Sequence, residues 1–186
     1  DSHFFDATDW VYLTYQADPS WSISAGKQVV LIGGYEYDAA PIDIFMASEY
    51  WNNIPCYQFG ASVTYATRQG NDKLTAQVCE SPFRNEVHND LLSYNLYWAG
   101  QHGIWSTLWS ANLIGYAPGK YISYLSLGNL FQIGDLSLQL DFMNRATSHQ
   151  TYLFRDCSIV GRLGWMCTPQ VELYAKASYD VNRTDH

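Results

Sequence analysis

The chain has 186 residues, enough for one large β domain, and its net charge of −8 with a pI near 4.8 argues against a nucleic-acid backbone as partner. Charged residues make up only 15 % while aromatics reach 16 %, with 15 Tyr and 7 Trp, an excess of rings that gather where an apolar slab meets water. No window approaches the ~18 consecutive apolar residues of a membrane helix, so a membrane role would need a closed barrel, where every backbone group is paired.

A period-2 alternation, the signature of strands with one apolar and one polar face, runs along nearly the whole chain. Val11, Leu13 and Tyr15 alternate with Tyr12, Thr14 and Gln16, then Asp18-Pro19 turns into Trp21, Ile23 and Ala25 against Ser22, Ser24 and Gly26. The clearest hairpin covers 57–78. Tyr57, Phe59, Ala61, Val63 and Tyr65 alternate with Gln58, Gly60, Ser62 and Thr64, and Leu74, Ala76 and Val78 with Lys73, Thr75 and Gln77. Gly70-Asn71 between them is a favoured two-residue turn, which sets Tyr65 opposite Ala76 and Val63 opposite Val78.

Leu92, Tyr94, Leu96 and Trp98 continue the rhythm, followed after Gly100-Gln101-His102-Gly103 by Trp105, Thr107, Trp109, Ala111 and Leu113. The 121–131 stretch alternates poorly. Beyond a turn near Ile133-Gly134, Leu136, Leu138, Leu140 and Phe142 face away from Ser137, Gln139 and Asp141. Ile159, Leu163 and Trp165 oppose Ser158, Arg162 and Gly164; a turn at Thr168-Pro169 leads to Val171, Leu173, Ala175, Ala177 and Tyr179 against Glu172, Tyr174, Lys176, Ser178 and Asp180. The expectation is an all-β, up-and-down antiparallel barrel segment of about ten strands, several of them of the ~9–11 residues that cross a bilayer at a tilt.

Short turns alternate with longer links at 27–55, 80–90, 115–120 and 144–154, which places the short turns at one end of the sheet and the long loops at the other. Both chain ends then fall on the long-loop side. That suggests an internal segment of a larger barrel: a single domain over 1–186, incomplete at both ends, with a long external loop at 27–55. Cys56, Cys79, Cys157 and Cys167 lack metal-ligand spacing, and the last two lie on one face of one strand, too far apart to bridge. All four read as free or lipid-facing thiols.

Trp21-Ser22-Ile23-Ser24-Ala25-Gly26-Lys27, Gly33-Gly34-Tyr35-Glu36 and the run from Cys56 to Val63 resemble the phosphate-selective porin family (types O and P) of Gram-negative outer membranes, and 72–83 resembles its following strand. The resemblance implies a sixteen-stranded barrel, a homotrimer, and an external loop folded into the lumen as a constriction. The 27–55 loop holds that position, with Lys27, Glu36, Asp38, Asp43 and Glu49 as constriction-loop candidates. The family's anion selectivity is associated with rows of Arg and Lys. Here the pore-lining candidates Arg68, Lys73, Arg162 and Lys176 interleave with Asp141, Glu172 and Asp180. Because rings of charge set selectivity by sign, the reading is general diffusion of small hydrophilic solutes or ions, anions such as phosphate among them.

No catalytic constellation emerges. His3, His88, His102, His149 and His186 are scattered over termini, turns and loops, and Gly33-Gly34 lacks the Lys and helix of a phosphate loop, so it reads as a bend. No cofactor or metal is expected. The partners are outer-membrane lipid and solute. Asp43-Ile44-Phe45-Met46 and Tyr50-Trp51 suggest a short helix or plug packed on the wall. The competing reading is a soluble Trp-rich sandwich or barrel that binds carbohydrate; an outer-membrane barrel enzyme lacks a nucleophile–base pair.

Overall fold

The computed structural model describes residues 8–40, 44, 46–48, 51, 56–147 and 155–182. Its elements are β1 (Val11–Asp18), β2 (Trp21–Val29), a one-turn α1 (Tyr35–Asp38), β3 (Tyr57–Ala66), β4 (Asp72–Glu80), β5 (Leu92–His102), β6 (Trp105–Ala117), β7 (Lys120–Ile133), β8 (Leu136–Thr147), β9 (Asp156–Thr168) and β10 (Val171–Asn182). The ten strands form one antiparallel sheet in strict chain order, the up-and-down arrangement that the alternation implies. The sheet is open, with β1 and β10 each paired on one side only.

The two faces differ as the alternation requires. One row carries Leu13, Ile23, Val63, Leu74, Leu96, Leu113, Leu138, Leu163 and Leu173, all of them exposed. A soluble sheet would cover such a face, whereas lipid solvates it. Aromatic rings band this face at both ends. At the short-turn end Trp21 meets Tyr65 at 4.9 Å, and Trp98 meets Trp109 at 5.1 Å and Trp105 at 6.4 Å. Their indole N–H groups find acceptors: Trp105 and Trp109 donate to Asn129 Oδ1 (3.1 and 3.3 Å) and Trp98 to Asp72 Oδ1 (2.9 Å). At the long-loop end Tyr94 meets Tyr121 at 6.4 Å, while Trp10 and Tyr57, 5.9 Å apart, meet at the rim beside the 29–32 segment.

Three local expectations need correction. The first is the register of β3 on β4: Val63 pairs with Ala76, Tyr65 with Leu74 and Ala61 with Val78. Gly70-Asn71 is not a two-residue turn, because Ala66 pairs with Lys73 and the bend takes up 67–71, with Gly70 N donating to Thr67 O at 2.8 Å. A slip of two residues leaves every side chain on its face, so polarity alone cannot detect it. Second, the β6–β7 link is not long: Ala117 pairs with Lys120, leaving only Pro118 and Gly119 between them. These two strands simply run on past the point where the apolar alternation fades. Third, Cys79 is not lipid-facing: it pairs with Gly60 and sits buried on the polar face, where Asn95 Nδ2 donates to its sulfur at 3.5 Å. All four cysteines are free thiols.

The interior does not lie between two sheets. It lies between the polar face and the segment that follows β2, where Val30 and Ile32 pack on Cys79, Ile114, Tyr124, Met143 and Val160. This explains the poor alternation of β7: Ile122 turns to the otherwise polar face and packs against that cluster, while Asn129 lies on the apolar face under two indoles.

Candidate functional site

The segment that follows β2, residues 30–38, crosses the polar face of β4–β8. A buried backbone must have its N–H and C=O groups paired, yet this segment lies on top of a sheet whose backbone groups are mostly engaged with neighbouring strands. Wall side chains supply the partners. Leu31 N donates to Gln77 Oε1 (2.9 Å) and Gln77 Nε2 donates back to Val29 O (2.8 Å). Asn112 Nδ2 donates to Leu31 O (2.8 Å), Gly33 N donates to Ser110 Oγ (2.8 Å), and Ser126 Oγ donates to Gly33 O (2.6 Å).

The wall residues are tied to one another as well. Asn95 Nδ2 donates to Gln77 Oε1 (3.0 Å), Asn112 Nδ2 to Asn95 Oδ1 (2.7 Å) and Ser110 Oγ to Asn112 Oδ1 (2.7 Å). Gln77, Asn95, Ser110, Asn112, Ser126 and Asp141 are all buried. Amides suit this row because each both donates and accepts, so it can serve a neighbour and the loop at once.

Close approach of the two backbones depends on glycine. A Cβ on Gly33 would lie 2.4 Å from Leu108 O, and one on Gly128 would lie 2.7 Å from Gly34 Cα. Gly34 has φ 102°, a conformation that side chains disfavour, and its N–H donates to Leu108 O at 2.9 Å. The Gly33-Gly34 bend is therefore also the contact point.

The loop then winds into α1, whose first N–H groups point at the wall. Asp141 accepts both, Tyr35 N at 3.1 Å on Oδ1 and Glu36 N at 2.8 Å on Oδ2, while Gln139 Nε2 steadies Oδ2 at 3.0 Å. Glu36 is 3 % exposed. Its carboxylate accepts Ser48 N (3.1 Å), the Ser48 hydroxyl and Lys176 Nζ (2.5 Å), and Lys176 also donates to Met46 O (3.0 Å). Burial pushes the Tyr35 and Tyr37 phenols above the ordinary tyrosine range, so both stay neutral.

The pore-lining candidates therefore divide. Asp141 is buried as the acceptor that holds α1, and Lys176 clamps Glu36. Arg162 pairs with Glu172 at 3.2 Å and lies 4.6 Å over the Tyr174 ring. Asp180 accepts the Ser158 hydroxyl. Arg68 lies exposed in the β3–β4 bend, and Lys73 is exposed on β4 in the row of Thr75 and Gln77. Among the constriction-loop candidates, Glu36 and Asp38 lie in α1, with Asp38 exposed. Lys27 is not in the loop: it pairs with Phe59 within β2, in the row of Ala25. Asp43 and Glu49 lie outside the described residues, as do His3, His149 and His186.

Sequence reasoning missed the amide row, because Gln77, Asn95 and Asn112 look like any solvated polar face. It also missed Arg145, paired with Asp156 at 2.5 Å on the same wall. A signal was present in the first case: the polar row at Gln77, Asn95, Ser110, Asn112 and Ser126 carries only amides and hydroxyls, with no charge among them.

No curated protein and no solved structure gives a match to the chain. The family model for phosphate-selective porin O and P matches residues 1–107, a stretch that contains β1 to β5, the loop and the start of β6. That family consists of channels in the Gram-negative outer membrane, in agreement with a sheet that is apolar on one face and bears an infolded loop on the other. The chain belongs to the phosphate-selective porin O and P family.

Proposed function

We propose that this chain forms part of the wall and the constriction of a passive channel for small hydrophilic solutes, without cofactor or catalysis. The observation that carries the reading is the loop itself. Eight residues of backbone from Val29 to Glu36 are held against the polar face by side chains of β4, β6, β7 and β8. A fixed obstruction across a water-facing wall narrows a pore without closing it. The open edges at β1 and β10 cannot stay unpaired in lipid. A barrel of sixteen strands, assembled as a homotrimer, is what membership of the family implies.

The charges support weak selectivity. Arg145, Arg162 and Lys176 each meet a carboxylate, at 2.5, 3.2 and 2.5 Å, so none stands as an open anion ligand. Asp38 is exposed on the other side of the loop, beside Trp10 and Tyr97. Phosphate and other anions pass on this wall as ordinary solutes rather than through a dedicated basic path. Planar-bilayer recording of the detergent-extracted protein tests this. A stable conductance with a reversal potential near zero in a potassium chloride gradient is expected. A steep anion preference with block by phosphate would overturn the charge argument, and no conductance would overturn the channel.

A further inference from the structure

The loop divides the polar face into two unlike flanks. On the β8–β10 side lie the paired charges. On the other side, between the loop and the long-loop ends of β1 and β3, a cavity of about 400 Å³ opens, within the size range of small-molecule sites. Trp10, Tyr37, Trp51, Tyr57 and Tyr97 line it, and Asp38 is the one charged residue in its lining among the described residues. No Lys, Arg or His joins them.

Two features narrow the ligand class. The cavity floor is the 29–32 backbone, four of whose polar groups are engaged: Leu31 N and O and Val29 O by Gln77 and Asn112, and Val30 N by Cys56 O at 2.8 Å. A ligand with a ring of hydroxyls would find few free backbone partners there. Ring surface is plentiful by contrast. Trp10 is 61 % exposed and meets Tyr57 edge-on, with planes 84° apart, so the two rings form a corner rather than a closed stack. Aromatic faces with a single carboxylate attract a cation through the ring quadrupoles and the charge, and they repel an anion.

We propose that this cavity binds a small organic cation, an amine or quaternary ammonium group, at the outer mouth of the constriction. Asp38 supplies the counter-charge, and the Trp and Tyr rings form the cage. The proposal goes beyond the diffusion reading and depends on it only for the position at the mouth; binding itself requires no conduction.

The test uses the detergent-extracted protein and its tryptophan fluorescence. Choline chloride should produce a saturable change that sodium chloride at equal ionic strength and glucose do not. Asp38→Asn, an exposed position, should weaken choline binding by about tenfold. Trp51→Ala should abolish it, whereas Trp51→Phe, which keeps a ring, should retain part of it; heat-modifiable gel mobility confirms that each variant is folded. A choline titration identical to that of sodium would overturn the proposal. So would an affinity unchanged in Asp38→Asn, or a saturable glucose response that choline does not displace. Conductance without choline binding would sink this site and leave the channel standing; choline binding without conductance would do the reverse.

Discussion

Strands β4–β8 and strands β9–β10 bear polar residues on the same face, but those residues do different work. In the middle strands Gln77, Asn95, Ser110, Asn112 and Ser126 are buried beneath the loop and bonded to its backbone or to one another. On β10 nearly every described position is exposed, and its charges meet partners on the adjoining β9 or reach back to the loop, as Lys176 does to Glu36. Polarity on this face is thus two properties. Uncharged groups in the middle hold the loop in place, and on the proposed function the charged groups at the flank face the solute path.

Substitutions can separate these roles. The largest effect should come from Lys176→Met, which leaves the Glu36 carboxylate buried without its cation, at a cost of about 3–5 kcal/mol. The loop end should then detach, raising single-channel conductance. Pairing it with Glu36→Gln should recover much of the loss, and a double-mutant cycle showing no coupling would mean that the clamp does not hold the loop. Asp141→Ala removes the acceptor from Tyr35 N and Glu36 N, each left unpaired at about 1–3 kcal/mol. The barrel should keep its heat-modifiable mobility while conductance becomes noisy; an unchanged, quiet channel would show that α1 is held by something else.

Gly33→Ala should cost about 1–3 kcal/mol through overpacking, since its Cβ meets the Leu108 carbonyl at 2.4 Å. The effect should appear in the channel record and in local hydrogen exchange more than in barrel melting. The smallest effect belongs to Arg162→Gln. Its pair with Glu172 is a third or more exposed on both sides, so stability should change by less than about 1 kcal/mol. The reversal potential should nonetheless move toward cations, and no movement would mean that Arg162 does not face the conducting path.

Much of the architecture was readable from residues because alternation is a local property. Leu92, Tyr94, Leu96 and Trp98 state their own face, and all ten strands form where the alternation places them. The register of β3 on β4 was not readable, since a shift of two preserves that alternation and the turn at 67–71 is longer than Gly70-Asn71 suggests. The course of the loop was harder still. Nothing near Gly33 in sequence names Ser110 or Ser126 as its partner, and a buried amide such as Asn112 is spelled like a solvated one. Asp141 reads as a lumen charge in isolation; only the backbone of α1 reveals it as an anchor.

The loop also bears on the order of assembly. It is made early in the chain, yet Tyr35 meets its acceptor on Asp141 across 106 residues. Its berth does not exist until β8 has been laid against β7, and contacts so distant in sequence form late. The loop therefore cannot dock until β4–β8 have paired. During refolding, exchange protection of the β7–β8 amides should precede that of the Gly34 amide. An early segment of the chain must wait for a late strand before it can settle.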